Sequence, residues 1–556
     1  MLATIMSYIP GWAVFGQAGV ALLFPLLVHL LYKGLYALTG SGRAVESPGT
    51  KNGKPSQRQA AVPAGSPAPA PQGFSGDYAA DLKYIKDTIG RNSDLHFKEF
   101  TMTRLESQAV LIFVDGMQDD RQLNLQILQY LMFEATAESL SAQGMSGAGA
   151  GLPFSQLREA SDLTMFIQSV LFGHAGLMVE GLPQGLLIEP PASTDRTLGE
   201  PVSEALLRGP RLGFSEVLSV NTSILRRQGL NDQLEMISYR VGTRIQRDLV
   251  LAYIKDIVNP ELLKEVETRI SKLDIDFLAE SGSIEQLIED NYLSPFQQVQ
   301  NTERPDRVIN ALLEGRIAIL LDGTPFALIV PVTFSMLLQS PEDYYERWLP
   351  SSLIRMLRFA ATFLALMAPA LYISFISFHP GLIPTELALS IIETRQGVPF
   401  PSVIEVLILE ISIEILREAG IRLPKPVGPA MGIVGGLIIG DAAVNAGIVS
   451  PFLVIVVAVT AISSFSIPMY SAGLTLRLLR FVGMGLASIL GMFGTILFFL
   501  LICSHLTRLK SFGVPYLTPV SPFRLSDWKD LFFRSPLSLM KRRPIMMKTQ
   551  DKRRKS

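Results

Sequence analysis

The uneven placing of apolar residues constrains this chain more than any other feature. After Arg355 four apolar runs, at 359–378, 428–447, 452–470 and 483–503, each approach the ~20 residues that a helix needs to cross a bilayer core. Of the 556 residues 48% are apolar and only 18% charged, a balance poorer in charge than soluble domains carry. The pattern predicts an all-α polytopic membrane domain at 346–522, preceded by sequence of a different character.

One further run, 403–416, is apolar but contains Glu405, Glu410 and Glu414. It reads as a helix that lies in the interface, re-enters the bilayer, or lines a polar cavity. Glu410, Glu414 and Glu418 stand at i, i+4, i+8 and share one helical face. Carboxylates at membrane depth are costly and usually face a cavity or a partner. In an oligomer such a face becomes a ring of acids, one way to favour cations in a pore. The alternative is a surface stripe on an interfacial helix, partly neutralised by Arg417 and Arg422. Asp441 and Asn445 are i, i+4 neighbours in a span where Gly432, Gly436 and Gly440 recur every four residues. Small residues at that spacing let helices approach closely. Asp441 then lies either on an ion path or in a helix-packing hydrogen bond. The candidate ion path is therefore Glu405, Glu410, Glu414, Asp441 and Asn445, with the three glycines as packing contacts. Pro424, Pro426, Pro429 and Pro468 break helices and read as loop punctuation.

The first forty residues hold an apolar stretch, 11–38, broken by His29 and Lys33, which predicts an N-terminal transmembrane segment at 1–40. Arg43, Lys51, Lys54 and Arg58 follow it and place that side in the cytoplasm. Residues 41–76 are rich in Pro, Ala and Gly and predict a linker. Basic residues cluster from Lys541 to Lys555, so 523–556 reads as a basic cytoplasmic tail facing lipid. Four spans return that tail to the cytoplasm but leave Arg477 and Arg480 outside, against the positive-inside rule. Counting 403–416 as a fifth span removes that conflict and creates one at the tail.

Between residues 77 and 345 charged helices alternate with short β-rich runs, which argues α/β. An internal repeat is visible. LFGHAGLMVEGLPQGLLIE at 171–189 aligns without gaps on LEGRIAILLDGTPFALIVP at 313–331, matching Gly173 with Gly315, Glu180 with Asp322 and Gly181 with Gly323. Both read strand, acidic–Gly turn, strand. Val110-Leu111 and Val250-Leu251 repeat at nearly the same offset. The duplication predicts two α/β modules, 77–215 and 216–345. No GxxxxGK[ST], HExxH or GxSxG pattern occurs in this part, and the histidines are scattered, so neither an enzyme, a cofactor nor a metal is expected. The single cysteine, Cys503, excludes an internal disulfide. A net charge of −1 points to no nucleic-acid partner.

Several motifs in order resemble the GerA family of bacterial spore germination proteins. They are YIKDTIGRNSDL at 84–95, Val114-Asp115-Gly116, RGPRLGFSE at 208–216 with Asn221 and Arg226-Arg227, Thr302 to Asp306 (TERPD), and LDGTPFALIVP at 321–331. Pro399 to Pro401, LREAG at 416–420, 433–440 and SFGVP at 511–515 extend the resemblance through the membrane part. It implies the A-type subunit of a nutrient-triggered germinant receptor in the spore inner membrane, with modules and tail cytoplasmic. It also implies partners, namely a transporter-like membrane subunit and a lipoprotein, together with homo-oligomerisation and release of monovalent cations. A downstream amplifier paralogue shares these motifs, while RNSDLHFKEF at 91–100 looks more like the receptor subunit. Two rivals are a secondary transporter, which predicts matching membrane halves, and a non-conducting scaffold.

Overall fold

The computed structural model describes residues 73–118, 127–136, 140, 156–189, 199–229, 232–422 and 440–554. The span expected at 1–40, nearly all of the linker expected at 41–76, and Gly432 and Gly436 lie outside the described residues.

The first module opens with α1 (Tyr78–Ile89), whose first amides are accepted by the Asp77 side chain. Strands β1 (Leu95–Met102) and β2 (Ser107–Val114) follow, then the short α2 (Leu128–Phe133), β3 (Gln156–Ala160), α3 (Leu163–Leu171), β4 (Ala175–Val179) and β5 (Gly185–Glu189). They form one antiparallel sheet in the order β1-β2-β4-β5-β3. The apolar run in β2 is continuous because helices cover both faces. Val110 and Ile112 pack with Phe166 of α3, while Ala109, Leu111 and Phe113 pack with Leu131 of α2.

The second module repeats this plan: α4 (Leu218–Arg227), β6 (Leu234–Val241), β7 (Arg247–Ile254), α5 (Pro260–Ser271), α6 (Ser281–Ile288), β8 (Gln300–Thr302), α7 (Pro305–Leu313), β9 (Ile317–Leu321) and β10 (Ala327–Val330). Its sheet order, β6-β7-β9-β10-β8, is that of the first. The aligned residues of the two modules hold equivalent places. Leu111 pairs with Leu177 in one sheet, and Leu251 pairs with Ile319 in the other. The acidic–Gly turns correspond too, since Gly181 and Gly323 have φ of +90° and +82°, which a side chain would strain. In the second module Asp322 also caps α4, accepting from the Leu218 amide at 3.1 Å.

The modules meet through a buried polar seam. Arg226 of α4 binds Asp94 through two nitrogens, one at 2.8 Å, and Asn92 at 3.0 Å. The Ser93 amide donates to Met236 O at 2.9 Å. The segment after Gly199 already lies on the second module: Phe214 enters its core, and Arg307 pairs with Glu204 at 2.6 Å. The chain thus leaves the first sheet ahead of residue 215.

The membrane half comprises α8 (Trp348–Ile373, continued as a π-turn to Phe378), α9 (Thr385–Arg395), α10 (Ser402–Arg422), α11 (Pro451–Phe465) and α12 (Tyr470–Arg508). Trp348–Phe378 and Tyr470–Arg508 are long and apolar enough to cross a membrane. The latter is a hairpin. At Gly491 the backbone takes φ +59° and ψ −137°, and the chain reverses. Gly494 then rests on the Leu486 carbonyl, and Phe498 packs on Gly483. The run expected at 483–503 as a single span is therefore divided between two antiparallel arms. At 1.5 Å per residue the arms 470–490 and 492–508 are roughly 31 and 26 Å long.

The tail expected to face lipid is corrected as well. Met547 sits in the second module's core, and Gln550 Nε2 donates to Val258 O at 2.8 Å. Arg543 Nε donates to Leu313 O at 2.7 Å. Apolar side chains spaced among the lysines and arginines hold the tail against the module and on its side of the helices.

Candidate functional site

Helix α10 carries four acids of the membrane half, and an arginine meets each of the four. Glu405, fully buried, pairs with Arg395 at 2.6 Å, and its other oxygen accepts the Ser450 amide at 3.1 Å. One and a half turns on, Glu410 is equally buried and meets Arg480 Nη2 at 3.0 Å. Its Oε1 is buried with no hydrogen-bond partner. Glu414, whose side chain is 26% exposed, is shared among Arg477 at 3.1 Å, Arg480 at 3.1 Å and Arg417 at 3.3 Å. Arg417 also donates to Ser464 Oγ at 3.0 Å and lies over the Phe465 ring. This ionic knot ties α10 to α11 and to the first arm of α12.

Neither acyl chains nor bulk water surround Glu410, and its surface-stripe alternative fits only Glu418, which makes an exposed pair with Arg422 at 2.6 Å. Arg477 and Arg480 are not loop residues stranded outside. They lie within α12 and pair with the α10 carboxylates. Asp441 and Asn445 are exposed on the single chain and belong to neither acid–arginine group. A Cβ on Gly440 would sit 3.6 Å from Val454, in ordinary contact with α11. Among the described residues no group of three or more His, Cys, Asp or Glu is arranged to hold a metal ion.

Sequence reasoning missed the partners Arg395, Arg477 and Arg480. The signal was available in part. Two arginines at i, i+3 inside an apolar run match two glutamates at i, i+4 in another, and each set needs the other to be tolerated at that depth.

Two further polar groups connect this half to the modules. At the base of α8 the buried Arg355 binds Asp343 at 2.9 Å and Asp530 of the tail at 2.6 Å, while Arg358 binds Asp343 at 2.7 Å. Beneath the α12 hairpin, the segment 294–297 touches both feet. Ser294 Oγ lies 2.8 Å from His505 Nε2, and Thr475 Oγ1 donates to Pro295 O at 2.6 Å. Tyr516 Oη donates to Gln297 O at 2.7 Å. Nearby on α6, burial and then the charge of Glu289 push the Glu285 carboxyl up to about 8.

The chain matches the family described as Bacillus/Clostridium GerA spore germination protein over residues 83–546. The chain belongs to that family. It is 42% identical to spore germination protein GerLA of Bacillus cereus, over 84% of this chain and 95% of that one. It is also 42% identical to spore germination protein B1 of Bacillus subtilis (strain 168), over 85% and 98%. The crystal structure of the N-terminal domain of the A subunit of the Bacillus megaterium spore germinant receptor GerK3 aligns with 48% of this chain and 98% of its own, at 29% identity and a TM-score of 0.36.

The motifs that carried the GerA resemblance have structural work in this chain. RNSDL supplies the Asn92 and Asp94 that receive Arg226. In TERPD, Glu303 accepts the Ser203 amide at 3.3 Å and Arg304 donates to Pro210 O at 2.7 Å, clamping the RGPRLGFSE segment. Tyr345, just before α8, donates to Asp306 of the same motif.

Proposed function

We propose that this GerA-family chain is the A-type subunit of a nutrient-triggered germinant receptor of the spore inner membrane. In this reading it oligomerises beside a transporter-like membrane subunit and a lipoprotein, with modules and tail cytoplasmic, and α10 lines a path for monovalent cations. The carrying observation is the set of three glutamates on one helix of the membrane half, all held by arginines. Four arginines face three glutamates there, a balance that repels cations, so the geometry fits a closed path. Opening would separate the arm bearing Arg477 and Arg480 from α10 and leave carboxylates to face water. Asp441 and Asn445, exposed on the single chain, are free to face a neighbouring copy.

The test is cation efflux from germinating spores carrying Glu410→Gln or Asp441→Asn, with assembly followed in parallel. Reduced efflux with intact assembly supports the path, and normal efflux from both variants removes it. A second reading, a non-conducting scaffold, is favoured by one observation: pairing with arginine already gives Glu405 and Glu410 a structural role. It predicts that the purified oligomer carries no current in a planar bilayer.

A further inference from the structure

The docked tail does not fill the space beneath it. Between the tail, α7 and the linker to α8 lies a cavity of about 730 Å³. That volume suits a small organic ligand. More of its lining surface is apolar than polar, but its charged groups are mostly basic, with seven lysines and arginines against three carboxylates.

Two of the acids are ion-paired, Glu314 with Arg316 and Asp530 with Arg355, while Asp527 accepts the Ile545 amide through one oxygen and has its other oxygen buried without a partner. Three of the cations are engaged as well: Arg316 with Glu314, Arg307 with Glu204 and Arg543 with Asp551. That leaves Lys529, Lys541, Arg542 and Arg554 on the wall with no ion-pair partner among the described residues. Four like charges around one partly enclosed space repel each other, with water screening the exposed Lys529, Lys541 and Arg542. Among the described residues five of the eight buried acids, Asp94, Asp306, Asp343, Glu405 and Glu410, are met by an arginine. Here the match is missing, and an anion entering the cavity supplies it.

We propose that this cavity binds a phosphate-bearing anion. A carboxylate offers one charge and two acceptor oxygens, whereas a phosphate brings one charge as a diester or about two as a monoester, with more acceptor oxygens for lysine and arginine donors. The walls come from the second module, the linker to the first membrane helix and the tail, so the ligand would hold these three parts together. Two sources share this chemistry. One is a free phosphorylated small molecule. The other is a phospholipid head group, because the linker leads into α8, whose first turns expose Trp348, Leu349 and Leu353. The inference does not depend on the ion-path reading.

The experiment uses the full chain in nanodiscs of phosphatidylcholine alone, titrated calorimetrically with pyrophosphate. Saturable binding of one pyrophosphate per chain is expected. The double variant Lys541→Gln with Arg542→Gln, whose side chains are exposed, should weaken it at least tenfold without moving the melting temperature, and Lys529→Gln alone should weaken it several-fold. In a second arm the discs contain phosphatidylglycerol. If the head group is the ligand, pyrophosphate competes with it, and wild type retains more phosphatidylglycerol than the double variant through detergent exchange. Pyrophosphate binding that all these substitutions leave unchanged overturns the proposal. So does the absence of pyrophosphate binding combined with equal lipid retention by wild type and variant.

Discussion

Replacing Arg226 by alanine tests whether the two modules are locked by one buried ion pair. Arg226 and Asp94 are 3% and 7% exposed, and the guanidinium also reaches Asn92. Arg226→Ala leaves the Asp94 carboxylate buried and unanswered, which costs about 3–5 kcal/mol. The surrounding strands keep their own ladders, so the loss falls on the seam and not on either sheet. At about 1.4 kcal/mol per factor of ten, seam opening should rise between roughly a hundredfold and a few thousandfold. Hydrogen exchange by mass spectrometry on the full chain reads this directly, because the Ser93 and Met236 amides are both bonded across the seam. Peptides covering 91–95 and 234–238 should lose that much protection, while peptides from β4 and β9 change little. Adding Asp94→Ala to the variant should restore part of the protection by removing the orphaned charge. Exchange at 91–95 within about threefold of wild type would refute a desolvated pair, since only a water-screened bridge is worth so little.

Three further outcomes follow from the same geometry. Gly491→Ala places a side chain at φ +59° and ψ −137° and drives its Cβ to 2.7 Å from Phe378 Cγ. It should cost at least 1–3 kcal/mol and lower the melting temperature of detergent-solubilised protein, whereas Gly485→Ala, with open space around it, should not. Glu285, raised from 4.5 to about 8, binds its proton more tightly folded than unfolded. Its stabilising contribution is full below pH ~4.5 and is lost as pH climbs toward 8, so Glu285→Gln should flatten that slope and stabilise the chain at pH 8 by roughly 2–4 kcal/mol. Arg480→Ala should destabilise the membrane half by about 3–5 kcal/mol, and pairing it with Glu410→Leu should recover most of the loss. Trypsin resistance of the reconstituted chain reports both.

The duplicated modules were legible because their marks are local. An acidic residue followed by glycine between two short apolar runs specifies a tight turn, and the same marks recur 142 residues later. The three α10 glutamates were legible because charge stands out in an apolar run. Their partners were legible only as a second set of charges in another apolar run, because Glu410 and Arg480 are 70 residues apart and the sequence does not say which charge meets which. The hairpin stayed hidden for another reason. Gly483, Gly485, Gly491 and Gly494 look like the small residues of a helix contact, and only the backbone angles at Gly491 separate a reversal from a close crossing. The tail misled through composition, since its lysines and arginines outweigh the few apolar side chains, Met547 among them, that dock it.

The reversal at Gly491 also sets the mechanical character of the molecule. Both feet of the hairpin stand on the short stretch 294–297 of the second module, with side-chain bonds at each and no slack chain between. An arm roughly 31 Å long turns a tilt of about 5° at its footing into nearly 3 Å of travel at its far end. The loop that carries Phe378 rides on that end. By leverage alone, a small rocking of the α/β body would carry that loop through a few ångströms.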